Sequence, residues 1–145
     1  MLPIIKIQED SLETVVAISK EIPEFHNPHE LVTYQERLKN VPSITLVAYV
    51  DGVPTGFKVG YERDGYFYSW MGAILPAYRR LGIARQLAEQ QEAWAKEKGY
   101  PHVTFKTRNR LKPMLLFALS RGFDIIEIQP KATIAEYRII LRKKL

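Results

Sequence analysis

Two Asp-Gly dipeptides, Asp51-Gly52 and Asp64-Gly65, constrain the fold more than any other feature of this chain. They separate three runs with strand character, Ser43–Val50, Val53–Arg63 and Tyr66–Leu75. Asp-Gly accepts the positive φ angles of the tight hairpin turn whose twist matches that of paired strands. Three consecutive antiparallel strands are therefore expected. Pro76 ends the third, and an amphipathic segment from about Leu81 to Lys98 follows, with Ile83, Ala84, Leu87, Ala88, Trp94 and Ala95 on one face. Gly99 suits the left-handed stop of that helix. His102–Thr107 reads as a further strand, and a helix crossing between it and Tyr66–Leu75 makes the two strands parallel.

The flanks complete the order. Ile4–Ile7 is a short strand, and Ser11 is placed to cap a helix that runs to about Lys20. Pro23 and Pro28 break it, and Pro28 suits the first turn of a second helix through Leu38. Pro113 opens a short helix that Gly122 ends, and Asp124–Gln129 with Ile134–Arg142 read as a closing antiparallel pair. The result is an α/β (α+β) chain, a mixed sheet with helices on its faces, and its length predicts one domain over residues 1–145. The chain has no cysteine, which excludes disulfides and thiolate metal sites and suits a cytoplasmic location. The amino terminus lacks a signal-peptide pattern, and no apolar run approaches the roughly 20 residues of a membrane span. A formal charge of +5 favours anionic ligands but is too small to argue for nucleic acid.

The chemistry concentrates in Ile74–Leu87, where the third strand of the meander gives way to the long helix. The first N–H groups of a helix have no partner within it, and its dipole is positive there, so a helix start holds anions such as phosphate. Gly82 lets the backbone come close to a bulky anion and Ala84 keeps the next position low. Arg79 and Arg80 add charge and forked donors suited to phosphate oxygens.

The segment Ile74-Leu75-Pro76-Ala77-Tyr78-Arg79-Arg80-Leu81-Gly82-Ile83-Ala84 resembles the acyl-CoA-binding motif of the GNAT superfamily of N-acyltransferases, Val-x-Pro-x-Tyr followed by Gln/Arg-x-x-Gly-x-Gly/Ala. Lys112–Phe123 resembles that family's second motif, a helix closed by Gly-Phe, and the element order agrees over essentially the whole chain. The resemblance implies a mostly antiparallel twisted sheet whose central parallel strands splay apart, with acetyl-CoA as co-substrate in the gap and no metal. Main-chain groups of Gly72, Ala73 and Ile74 would pair with the pantetheine amides. Arg79 and the backbone of Arg80, Leu81, Gly82, Ile83, Ala84 and Arg85 would hold the pyrophosphate. The implied activity moves an acetyl group to a primary amine of a small-molecule or peptide acceptor, by direct attack in a ternary complex. Two positions depart from the pattern. Leu111 stands where the family often has an asparagine that touches the cofactor, with Asn109 close enough to substitute. Ala118 stands where many members carry the tyrosine that protonates the leaving thiolate.

Direct attack needs a neutral amine, hence a general base. Glu62, among Tyr61, Tyr66, Phe67, Tyr68 and Trp70, is one candidate; Glu24 and His26, between the first two helices, are others. Alternation puts Tyr66, Tyr68 and Trp70 on one sheet face with Phe67 and Met71 on the other, and Tyr68 is a candidate acid or orienting hydroxyl. His26 and His29 lack a third ligand for a metal. Arg108, Asn109 and Arg110 read either as a solvated loop or as contacts to the adenine nucleotide. Ala118 also favours a non-catalytic acyl-CoA-binding module; a nucleic-acid-binding domain ranks below it, because the basic residues are dispersed. The closing strands leave an edge that supports a homodimer.

Overall fold

The computed structural model describes residues 1–145. In chain order it comprises β1 (Ile5–Glu9), α1 (Leu12–Ser19), α2 (Leu31–Leu38), β2 (Ser43–Val50), β3 (Val53–Arg63), β4 (Tyr66–Ile74), α3 (Ile83–Glu97), β5 (His102–Arg108), α4 (Lys112–Ser120), β6 (Asp124–Gln129) and β7 (Arg138–Lys144). Both Asp-Gly pairs close two-residue hairpins, with Val50 opposite Val53 and Arg63 opposite Tyr66. The turn residues have φ of 48° and 83° at Asp51 and Gly52, and 51° and 83° at Asp64 and Gly65, as this turn requires. The strands form one sheet in the order β1-β2-β3-β4-β5-β7-β6. Only β4 and β5 run parallel, joined by the α3 crossover.

Helices cover both faces of the sheet. Ile83, Leu87 and Ala95 of α3 and Ala118 of α4 pack on Leu46, Ala48, Phe67, Val103 and Leu141. Val15, Val16 and Ile18 of α1 and Tyr34 of α2 pack on Val47, Phe57 and Val59 from the other side. Leu46, Val47 and Ala48 thus serve alternate faces, which explains why β2 reads as an almost unbroken apolar run. The edge strand β6 leaves Ile125, Ile126 and Ile128 exposed.

Several expected boundaries moved. The helix expected from Pro28 starts at Leu31, and the one expected from Leu81 starts at Ile83 after a short 3-10 turn over Pro76–Tyr78. The last strand starts at Arg138, because Ile134–Glu136 is wound into another 3-10 turn. That turn is tied down: Asn109 N donates to Tyr137 O and Arg110 N to Ala135 O, both at 2.9 Å.

One expectation about β4 is corrected. Val59 lies opposite Met71 but Gly60 lies opposite Ser69, so Trp70 is an extra residue, a bulge. Alternation breaks there, and Met71 joins Trp70 on the α1/α2 face instead of Phe67 on the other.

Candidate functional site

The parallel pair separates beside that bulge. Phe67, Tyr68 and Ser69 pair with Val103, Thr104 and Phe105, and the pairing goes no further. Beyond Ser69 and Phe105 a gap opens between the end of β4 and the end of β5. Leu75 N donates to Thr55 O at 2.8 Å, toward β3. Since backbone groups alternate along a strand, those of Ile74 and Gly72 face the gap. Ala73, opposite Phe57, turns its groups to β3, so two of the three expected residues offer main-chain groups there.

The chain then enters the turn that precedes α3. Arg80 and Gly82 are both left-handed, with φ of 67° and 80°. A Cβ on Gly82 would meet nothing within 4 Å, so glycine is favoured here by its backbone angle, not by crowding. Arg80 holds the same conformation with a side chain, at a cost of about 1–2 kcal/mol. Strain of that kind concentrates at ligand sites. No side chain caps α3, and Arg80, Leu81, Gly82 and Arg85 around its start are exposed. The first amides of a fifteen-residue helix thus face solvent beside an open strand edge.

Arg79 is engaged elsewhere. Its guanidinium donates to both carboxylate oxygens of Glu24 at 2.9 Å, and its Nε donates to Ile74 O at 2.9 Å. The arginine therefore braces the turn against the α1–α2 connection and caps one carbonyl of the open edge. This pairing holds the Glu24 carboxyl below its usual range, which makes Glu24 a poor base. Asn109 is also committed, its amide donating to Ile134 O at 3.2 Å and accepting from Lys112 Nζ at 2.7 Å. Arg108 donates to Glu136 O at 3.0 Å, and Arg110 pairs with the Glu136 carboxylate at 2.8 Å.

Glu62 and Tyr68 fall on opposite faces of the sheet. Glu62 lies opposite Phe67 and accepts a hydrogen bond from Tyr100 at 2.9 Å on the α3 side. Tyr68 lies opposite Tyr61, its ring 5.7 Å away, and Tyr61 in turn contacts Trp70 on the α1/α2 side. The two side chains thus leave the sheet in opposite directions. Burial, with nearby Tyr61, pushes the Tyr68 hydroxyl up, so it keeps its proton at neutral pH. Lys106 and Arg63 lie over the Tyr68 ring, at 5.1 and 5.7 Å, and make that end of the face cationic. His29 packs on Trp70 and Tyr34, and no three metal-ligating side chains gather anywhere.

The sequence reading missed what lies under the point where the strands part. A cavity of about 20 Å³ is lined by Lys58, Ser69, Gln91, Glu92, Phe105, Ala118 and Arg121, among others. Gln91 is fully buried with neither amide atom bonded, and Arg121 Nε is buried without a partner. Burial pulls the Lys58 amine down to about 8, against the attraction of Glu92. The signal in the sequence was a lysine between Phe57 and Val59, inside a strand otherwise covered on both faces.

Solved structures share this architecture. The ribosomal-protein-S18-alanine N-acetyltransferase of Escherichia coli aligns over 97% of this chain and 94% of its own, at a TM-score of 0.83 and 17% identity. An IAA acetyltransferase from Bacillus cereus aligns over 97% and 99%, at 0.77 and 22% identity. The PaiA N-acetyltransferase of Thermoplasma acidophilum, solved with coenzyme A, aligns over 97% and 99%, at 0.75 and 17% identity. At these identities the likeness speaks for the fold alone. No curated protein sequence matches the chain. A family model does, over residues 12–123, a span that runs from α1 to the Gly-Phe after α4 and takes in both the uncapped turn and the opened strands. On that match the chain belongs to the acetyltransferase (GNAT) family.

Proposed function

We propose that this protein transfers an acetyl group from acetyl-CoA to a primary amine by direct attack in a ternary complex. The observation that carries the reading is the coincidence of two open features: β4 and β5 stop pairing at Ser69 and Phe105, and α3 begins uncapped beside the end of β4. An arm bearing amides fits an unpaired strand edge, and a diphosphate fits a helix N-terminus. Backbone N–H groups from Arg80 to Arg85 hold the diphosphate, and Gly72 offers its main-chain groups to the arm. Acetyl-CoA supplies the thioester carbonyl that the amine attacks.

The acceptor approaches from the face opposite α3, beside Tyr61, Tyr68 and Trp70. Tyr68, protonated, orients the acceptor or its attacking nitrogen. Lys106 and Arg63 around that ring favour an amine that also carries an anionic group, such as a carboxylate. Glu62 is bonded to Tyr100 on the face away from the acceptor, and solvent at the exposed end of the gap takes the amine proton. The exposed isoleucines of β6 support self-association into a homodimer.

Thiol release from acetyl-CoA, screened across α-amino acids, their amides, polyamines and peptides, tests the proposal. Release with at least one class is expected, with amino acids preferred to their amides. Binding of acetyl-CoA with no release from any amine would instead favour the second reading, a non-catalytic acyl-CoA-binding module, which rests on Ala118 and on Glu62 and Tyr68 facing opposite ways.

A further inference from the structure

Lys58 lines the cavity under the parted strands with a charge that the fold leaves without an ion pair. It sits in β3 opposite Gly72, on the sheet face away from its neighbours Phe57 and Val59 and therefore toward α3 and α4. Its stem runs beneath Gly72, where a Cβ would come within 3.5 Å of Lys58 Cγ. The one carboxylate in reach is Glu92 of α3, and both its oxygens are taken, one by Arg121 and the other by Lys143 of β7 at 2.7 Å. Three cations thus share one anion, and Lys58 makes no ion pair of its own. A partly desolvated ammonium without a counter-ion is costly, so its retention calls for a ligand.

The position of the cavity says which ligand. Ser69 and Phe105, which line it, are the last paired residues of β4 and β5. A thioester arm laid into the gap from its open end has its sulfur nearest this floor. Gln91, buried and unbonded, lines the same space. Ala118 borders it and leaves it unfilled, with no hydroxyl of its own to offer.

Resting on the acetyl-transfer reading above, we infer that Lys58 is a catalytic residue, the cation that neutralises the departing CoA thiolate. The amine nitrogen bonds to the thioester carbonyl carbon, and the C–S bond then breaks with its electron pair passing to sulfur. Sulfur leaves as a thiolate paired with the Lys58 ammonium, which keeps its proton. The amine's own proton goes to water, and the thiolate takes one from water as CoA departs. The thiolate supplies the second anion that Lys58, Arg121 and Lys143 lack, while Gln91 donates one amide hydrogen to hold the sulfur.

The test needs no acceptor. CoA labelled with carbon-13 next to sulfur is bound to the protein, and its chemical shift is followed against pH. In the wild type the bound thiol should ionise about 1–3 pH units below free CoA, because a cation faces the thiolate. Lys58→Met, of similar length and without charge, should still bind CoA and return the thiol to its free value or above. Lys58→Arg keeps the charge and should keep the lowered ionisation. With any accepted amine, Lys58→Met should lower kcat about 100-fold at unchanged KM for acetyl-CoA. Bound CoA that titrates as in free solution overturns the inference, even if no variant folds. So does a lowered ionisation that survives in Lys58→Met. Failure of the wild type to bind CoA is a different result, since it removes the acetyl-transfer reading and this inference with it.

Discussion

Gly82 and Arg79 divide the work of the turn. Gly82 sits at φ 80° with open space where a Cβ would go, so Gly82→Ala should lower stability by about 1–2 kcal/mol through the backbone alone. Chemical denaturation measures that loss. Gly82→Glu adds a negative charge where a diphosphate is gripped, and should abolish the thermal shift produced by acetyl-CoA. The sequence reading gave Arg79 to phosphate, whereas its side chain binds Glu24 and Ile74 O. A long side chain's direction depends on which carboxylate the fold brings near, and Glu24 is far away in sequence. The pH consequence has a definite sign. Arg79 holds the Glu24 carboxyl below its ordinary value, so its contribution to stability is complete above the unfolded carboxylate range and is lost as pH falls through the lower folded value. Both partners are over a third exposed, which keeps the effect under about 1 kcal/mol. Glu24→Gln should therefore leave stability nearly unchanged at neutral pH and leave turnover intact, because a carboxylate already held ionised is a weak base.

Elements were more legible than contacts because their signals are local. Ser11 accepts from Thr14 N at 3.3 Å at the start of α1, and the hairpins follow from Asp-Gly chemistry. The bulge at Trp70 was not legible, since a bulge depends on a partner strand and leaves no fixed residue pattern. That hidden residue moved Met71 across the sheet, and it lies beside the place where β4 and β5 part. Glu62 and Tyr68 looked like neighbours in sequence, but the hairpin register sends them to opposite faces. The bearing between α3 and the sheet yields an element-scale prediction. A Cβ on Gly60 would come within 2.6 Å of both Gln91 Nε2 and Phe67 Cζ. The Gln91 end can turn aside, but the Phe67 ring is fully buried. Gly60→Ala should cost about 1–3 kcal/mol in denaturant-induced unfolding, by pushing α3 off β3.

At the scale of the whole molecule, the sheet is two halves joined at a narrow waist. Strands β1–β4 and β5–β7 meet only through the three pairs from Phe67/Val103 to Ser69/Phe105. Past that waist, backbone groups at the ends of β4 and β5 lack each other as partners. A ligand that lies between them acts as an inserted strand and should stiffen both halves at once. Acetyl-CoA at 100 times its dissociation constant should stabilise the fold by about 2.7 kcal/mol, or roughly 5–10 °C in Tm for a chain of this size. The diphosphate and the arm contribute through different parts of the molecule, and a truncated ligand separates them. Adenosine 3′,5′-bisphosphate carries phosphates but no arm, so it should reach the start of α3 without bridging the waist. Its effect should fall with rising salt, as charges at an exposed helix end are screened. Acetyl-CoA should retain a salt-resistant part, visible in amide hydrogen exchange as slowing at Gly72 and Ile74 on one side and along Lys106–Arg108 on the other. Equal protection by the two ligands at those amides would mean that nothing occupies the gap, and the separated strands would then be a feature of the fold without a bearing on acyl transfer.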